Sequence, residues 1–378
     1  MQKKKIASFT GLRFIMSMFI VLIHFDGIIK NLGYFGEIHN KYTFEFYMLA
    51  LNFFLLLSGF GMMYSDLRKK PQESITLPSL KYGIKYAINH VKKIYPVYIG
   101  TIIFGIIAVF INIIFVTHSL SIEIFLKELL KIIINVCLLQ SATCMTYFTF
   151  AYNGAAWFLS SLFCIYIISP FIIYILRQIS KNLISDLFCI FINILVLMIL
   201  NHYCPIIENK LIGMSEVAHV DALLYSSPYV RVFYVIIGMN IAQFVNRFDG
   251  EKIFSKKLGT FLEVIISIIS ILYYSIFKNY IIQYSYNFII DMFLIIAIIF
   301  IFYFEKGYIS NLLGKPLMQV LGNMAMYIYL IHSVMIQHCI TIVYKKWGWT
   351  FVSVYSFIIM VLVITFMFSW LLYKKDKS

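Results

Sequence analysis

Apolar runs of about 20 residues recur along the chain, and the segments between them carry most of the charge. They fall at roughly 9–29, 43–64, 94–116, 156–176, 183–201, 228–246, 258–277, 284–304, 317–344 and 349–373. A run of that length crosses a hydrocarbon core as one helix, with every backbone polar group satisfied inside the segment. The short alternating strands of an outer-membrane barrel are not visible. The pattern predicts an all-α polytopic membrane protein of about ten transmembrane helices.

The stretch 127–140 is shorter and carries Lys127, Glu128 and Lys131. It reads as an interfacial or re-entrant helix rather than an eleventh span. The basic residues test this arrangement. With the N-terminus cytoplasmic, the inner segments hold 22 of the 31 Lys and Arg and the outer segments 8, with Arg231 inside a span. That bias favours ten helices with both termini cytoplasmic. An eleventh span at 127–140 would invert every later loop and expose Arg247 to Lys257. The longest loops are the basic inner one at 65–93 and the outer ones at 117–155 and 202–227. The last is mildly acidic, with Glu208, Glu216 and Asp221 against Lys210. No repeat and no appended soluble segment is evident, so residues 1–378 read as a single membrane domain.

Composition agrees: 61% of residues are hydrophobic and 13% charged, about half the charge of a soluble domain. The excess of Lys and Arg therefore reads as positive-inside topology and contact with membrane lipids, not nucleic-acid binding. The six cysteines form no CxxC pair, which predicts neither a disulfide framework nor a metal site. The start, Met1 to Lys5, resembles a leader's basic segment, but the run after it lacks a small-x-small cleavage site and reads as a retained helix.

Candidate chemistry begins in the first run. Arg13 and His24 are eleven residues apart, about three helical turns, so they share one face at a separation of about 16 Å. Ionisable groups inside a span are costly and mark functional sites. This pair, with Asp26 nearby, suggests a charged anchor at the interface and a proton-handling group near mid-bilayer. A neutral His24 imidazole could act as general base on a hydroxyl or accept an acyl group transiently. Ser58-Gly59 in the second run permits close helix packing, which accounts for it without chemistry. The inner loop ends in His90, Lys92, Lys93, Pro96 and Tyr98. Topology explains its charge, and a basic cluster before a Pro-started helix also suits phosphates of an anionic donor. Trp157 enters the fourth run at a position where interfacial belts place Trp. His332 lies inside the ninth.

In this order the motifs resemble the acyltransferase-3 family of integral membrane acyltransferases over essentially the whole chain. The early Arg, ten residues and a His are Arg13 and His24. The second-helix Phe-Phe-x-x-Ser-Gly-Phe pattern is met approximately by Phe53, Phe54, Ser58, Gly59 and Phe60. Lys93, Ile94, Pro96 and Tyr98 match a basic-hydrophobic-x-Pro-x-Tyr element. Trp157, Leu159, Tyr166 and Pro170 match a Trp-x-Leu…Tyr…Pro block, and Leu321 to His332 match loosely the late Gly…Tyr…His pattern. His90 and Lys93 stand where many members have Arg-x-x-Arg, which removes the bidentate fork from those slots. Leu162 stands where many have Glu. The Trp-Phe-Leu-x-x-Leu form is similar to the branch that O-acetylates surface polysaccharides without an attached esterase-like domain.

The resemblance implies an acyltransferase in the bacterial plasma membrane. Its donor would be cytosolic acyl-CoA, above all acetyl-CoA, with no metal, and its acceptor a hydroxyl of a glycan or lipid-linked saccharide. Carried over, it places Arg13, Ser58, His90, Lys92, Lys93 and Tyr98 on the donor side and His24 at the reacting hydroxyl. Trp157, Tyr166 and His332 fall on the acceptor side, with Tyr147 and Tyr152 as further aromatic surfaces for sugar. A homo-oligomer is compatible with all of this. Three rivals are a polysaccharide exporter or flippase with Asp291 and Arg231 as a gating pair, an acyltransferase with a lipid or small-molecule acceptor, and a non-catalytic scaffold.

Overall fold

A computed structural model describes residues 6–29, 34–69, 76–116, 121–212, 222–248, 255–274, 284–347 and 350–376. They are almost entirely helical, and no strand occurs among them. The main helices are α1 (Ala7–His24), α2 (Tyr34–Lys69), α3 (Leu80–Val91), α4 (Tyr95–Ile111), α5 (Ile122–Val136), α6 (Trp157–Ile179) and α7 (Leu183–Ile212). They continue with α8 (Pro228–Asn246), α9 (Lys256–Leu272), α10 (Tyr284–Tyr303), α11 (Tyr308–Leu313), α12 (Pro316–Trp347) and α13 (Phe351–Lys375). Single turns at Asp26–Ile29, Thr146–Thr149 and Leu223–Ser226 join them.

Among the described residues, eight helices are long and apolar enough to cross a membrane: α1, α2, α4, α6, α7, α8, α12 and α13. The runs expected at 258–277 and 284–304 are occupied by α9, of 17 residues, and α10, of 20. The short stretch after the third span forms α5, 15 residues long, about 22 Å and less than a bilayer needs. The first run differs from expectation at its far end. α1 stops at His24, and Phe25 turns the chain into the Asp26–Ile29 turn.

Sequence sets several boundaries directly. Ser79, Ser121 and Ser255 accept the third backbone N–H of α3, α5 and α9, each satisfying a donor that the first helical turn leaves open. Thr350 and Ser353 form a reciprocal capping box at α13. Pro96 sits in the first turn of α4, where its missing N–H costs nothing.

The chain divides into two compact units. The first comprises residues 1–76, 172–199 and 233–325. Its centre is α1 against α2, with α8 crossing α2 at two glycines. A Cβ on Gly59 would lie 1.9 Å from the Val235 carbonyl oxygen, and one on Gly238 would lie 1.9 Å from that of Leu56. Only glycine at both positions lets these backbones touch. Two ion pairs tie helix ends together: Arg177 donates to Asp66 at 2.9 Å, and Arg247 pairs with the fully buried Asp186. The second unit comprises residues 77–171, 200–232 and 326–378. It contains an irregular segment between α5 and α6, where Leu138 and Cys144 both adopt left-handed backbone (φ 57°).

Candidate functional site

In the first unit α1 is continuous from Arg13 to His24, so the pair shares one rigid rod. Arg13 is exposed and His24 half-buried. His24 closes the helix, and its Nδ1 lies 2.6 Å from the Ile20 carbonyl oxygen. A carbonyl only accepts, so Nδ1 carries the proton and the lone pair of the neutral ring sits on Nε2. Tyr47 of α2 packs edge-on to the imidazole, with ring centroids 6.4 Å apart at 90°. Beside it, Phe19 stacks on Phe46 at 4.8 Å, Phe46 meets Tyr274 at 5.0 Å, and Tyr274 donates to Asp291 at 2.6 Å.

The contacts Phe19–Phe46 and Phe9–Phe60 make α1 and α2 antiparallel. Ser58 therefore lies towards the Arg13 end of α1, eleven residues along α2 from Tyr47. Its hydroxyl turns back to the Phe54 carbonyl at 2.8 Å, and Gly59 beside it carries the close approach to α8. Asp26 is helical, but its side chain lies outside the described residues, as do Glu216 and Asp221.

In the second unit His90 is exposed near the end of α3, its Nδ1 2.8 Å from the Tyr86 carbonyl oxygen. Its ring packs between Tyr86, at 4.1 Å, and Tyr166, at 4.8 Å. Two predicted residues, His90 and Tyr166, are thus brought together. Lys92 and Lys93 are exposed at the α3–α4 joint, and Lys93 lies 3.3 Å from Asp376. Tyr98 turns inward. It is fully buried, donates to the Asn135 carbonyl at 2.5 Å and accepts from Gln140 at 3.2 Å.

Trp157 and His332 meet a second cluster where α12 holds the approach to α6. Asn153 donates to the Leu330 carbonyl at 2.9 Å and to Thr101 at 3.0 Å. Gly154 N–H donates to Gln337 at 2.8 Å, Ala155 N–H to Ser333 at 3.0 Å, and the Tyr329 hydroxyl to the Ala155 carbonyl at 2.7 Å. His332 is fully buried, its Nδ1 2.8 Å from the Ile328 carbonyl oxygen.

Trp157 is 2% exposed, with Tyr225 at 5.0 Å and the Arg231 guanidinium 5.9 Å above its ring. It is a packed group, not an open platform for sugar. Tyr152 is likewise buried and donates to Glu128 at 2.8 Å. That burial and the carboxylate beside it push its phenol well above the ordinary range. Tyr147 stays exposed under Lys131, 3.9 Å from its ring centroid. Lys131 in turn pairs with Glu128 at 2.6 Å. Burial raises the neighbouring Cys144 thiol to about 11.

Sequence reasoning missed Tyr47 and Tyr225, and took Glu128 only as a charge on the short helix. Only their aromatic or acidic character inside apolar context signalled them. The two members of the gating pair have their own partners. Asp291 holds Tyr274 in the first unit, whereas Arg231 in the second donates to the Tyr225 carbonyl at 2.7 Å. No group of three or more His, Cys, Asp or Glu is placed to hold a metal among the described residues.

The fold is that of a polytopic helical membrane protein. The family model for the acyltransferase domain, acyltransferase-3, matches residues 6–374. The chain belongs to that family of membrane acyltransferases. No curated protein and no solved structure matches it.

Proposed function

We propose that the protein moves an acyl group, above all acetyl, from cytosolic acyl-CoA to a hydroxyl of a surface or lipid-linked polysaccharide in the bacterial plasma membrane. The observation that carries this reading is the single rod bearing Arg13 and His24, with the imidazole lone pair assigned to Nε2 by the Nδ1–Ile20 bond. Nε2 removes the acceptor's hydroxyl proton as that oxygen attacks the thioester carbonyl. The carbon–sulfur bond then breaks, and the coenzyme A thiolate takes the proton back from the imidazolium. In the alternative relay, Nε2 attacks the thioester carbonyl and expels the coenzyme A thiolate. The acceptor hydroxyl then takes the acyl group from the ring as its proton passes to that thiolate. Arg13 anchors donor phosphates one rod-length away.

The test is NMR of surface glycan from cells lacking the protein and complemented with wild type or His24→Ala. Ester-linked acetyl signals should return with wild type and stay absent with membrane-inserted His24→Ala. If glycan reaches the surface only with the protein present, and His24→Ala restores it fully, export replaces acyl transfer.

A further inference from the structure

Helix α3 is 12 residues long, about 18 Å, and too short to cross a bilayer. Only Gly83, Ala87 and Val91 are buried, one small-residue stripe along a single face. A Cβ on Gly83 would lie 2.3 Å from the Ile167 carbonyl oxygen, so α3 lies backbone-close against α6. The His90–Tyr166 contact at 4.8 Å fixes the same seat.

At about 100° per residue, the next stripe is Leu80, Ile84 and Ile88, all exposed. Lys81 and Lys85 follow immediately, also exposed. Leu80, Lys81, Ile84, Lys85 and Ile88 together line an open groove of about 480 Å³. An apolar stripe edged by lysines whose stems reach past it is the form of a helix lying in a headgroup layer.

Charge separates α3 from the other short amphipathic helix. On α5, Lys127 pairs with Glu123 at 2.5 Å and Lys131 with Glu128 at 2.6 Å. On α3, no carboxylate lies within ion-pair distance of Lys81 or Lys85 among the described residues, and residues 74–122 contain no Asp or Glu. We propose that α3 is a lipid-docking helix that binds anionic phospholipid. Lys81 and Lys85 hold headgroup phosphates, while Leu80, Ile84 and Ile88 enter the acyl boundary. The apolar stripe is what selects a lipid over a soluble phosphate.

Native mass spectrometry of the full chain in detergent, titrated with phosphatidylglycerol or phosphatidylcholine, tests this. Wild type should bind phosphatidylglycerol more tightly than phosphatidylcholine. The Lys81→Gln, Lys85→Gln double variant should bind phosphatidylglycerol about 10- to 30-fold more weakly and phosphatidylcholine unchanged. Ile84→Ser should weaken both lipids, and saturating coenzyme A should leave bound phosphatidylglycerol in place. Because all three substituted side chains are exposed, unchanged thermal midpoints verify that folding is intact, and Lys81→Arg, Lys85→Arg should restore wild-type binding. Equal phosphatidylglycerol affinity in wild type and the Gln variant overturns the proposal. Displacement by coenzyme A with no effect of Ile84→Ser does so too, and reassigns the lysines to a free-phosphate site.

Discussion

At the residue scale, the hydrogen bond from His24 Nδ1 to the Ile20 carbonyl does two jobs. It fixes the tautomer, and it holds the ring at the end of α1 against Tyr47. Glutamine can keep a bond to that carbonyl but offers no titrating nitrogen. His24→Gln should therefore lower kcat about 10²- to 10⁴-fold with little change in thermal midpoint, measured by acyl transfer from labelled acetyl-CoA in proteoliposomes. A small loss would remove His24 from the proton path. Arg13 is an exposed cation one rod-length away, and Arg13→Lys keeps its charge while removing the two-pronged donor. The expected result is a KM for the acyl donor raised about tenfold, with kcat nearly unchanged. A fall in kcat with KM constant would instead place Arg13 at the reacting groups.

At the element scale, two contacts decide whether the first unit holds its shape. Glu263 of α9 is fully buried and accepts N–H bonds from Gly307, Ile309 and Ser310 at 2.9–3.0 Å, and from the Ser310 hydroxyl. It serves as the N-terminal cap of α11 from another helix. Glu263→Ala strands those buried donors and should cost about 2–4 kcal/mol, seen as a lowered thermal midpoint in detergent. Gly238→Ala puts a methyl 1.9 Å from the Leu56 carbonyl and should destabilise by about 1–3 kcal/mol; an unchanged midpoint would mean that α2 and α8 slide freely. The sequence announced Gly59 as a packing position, because Ser-Gly in an apolar run has few other uses. Arg13 and His24 were legible for a related reason: their spacing and the helix period lie in one segment. Trp157 was not, since Tyr225 and Arg231 cover it from a distant part of the chain. Tyr98 and Tyr152 turn inward for partners, Asn135 and Glu128, that local pattern does not reveal. The left-handed turns at Leu138 and Cys144 occur at residues without turn preference, so the path between α5 and α6 was unreadable.

At the scale of the whole molecule, side-chain contacts in the first unit level α9 and α10 against α1. Near the start of α1, Ser8 N–H donates to Glu305 at 2.9 Å, and Phe60, beside Phe9, meets Tyr303 at 5.7 Å. The end of α10 is therefore level with the start of α1. Towards the other end of α1, Phe19 stacks on Phe46, which meets Tyr274 just beyond α9, and Tyr274 holds Asp291 inside α10. Over 17 residues α9 thus covers the same depth as most of α1, returning by α10 to the level where it began. If α1 crosses, both cross, with Tyr274 and Asp291 towards the face opposite Lys306. Charge bias alone is silent here, because moving Lys278 across changes the 22-to-8 division by one. Lys278→Cys should accordingly react with a membrane-impermeant maleimide added outside intact cells, above the labelling of wild type. Lys306→Cys should react only after the cells are opened. Protection of both positions until opening would mean that α9 and α10 pack inside the bundle without traversing it, leaving eight spans.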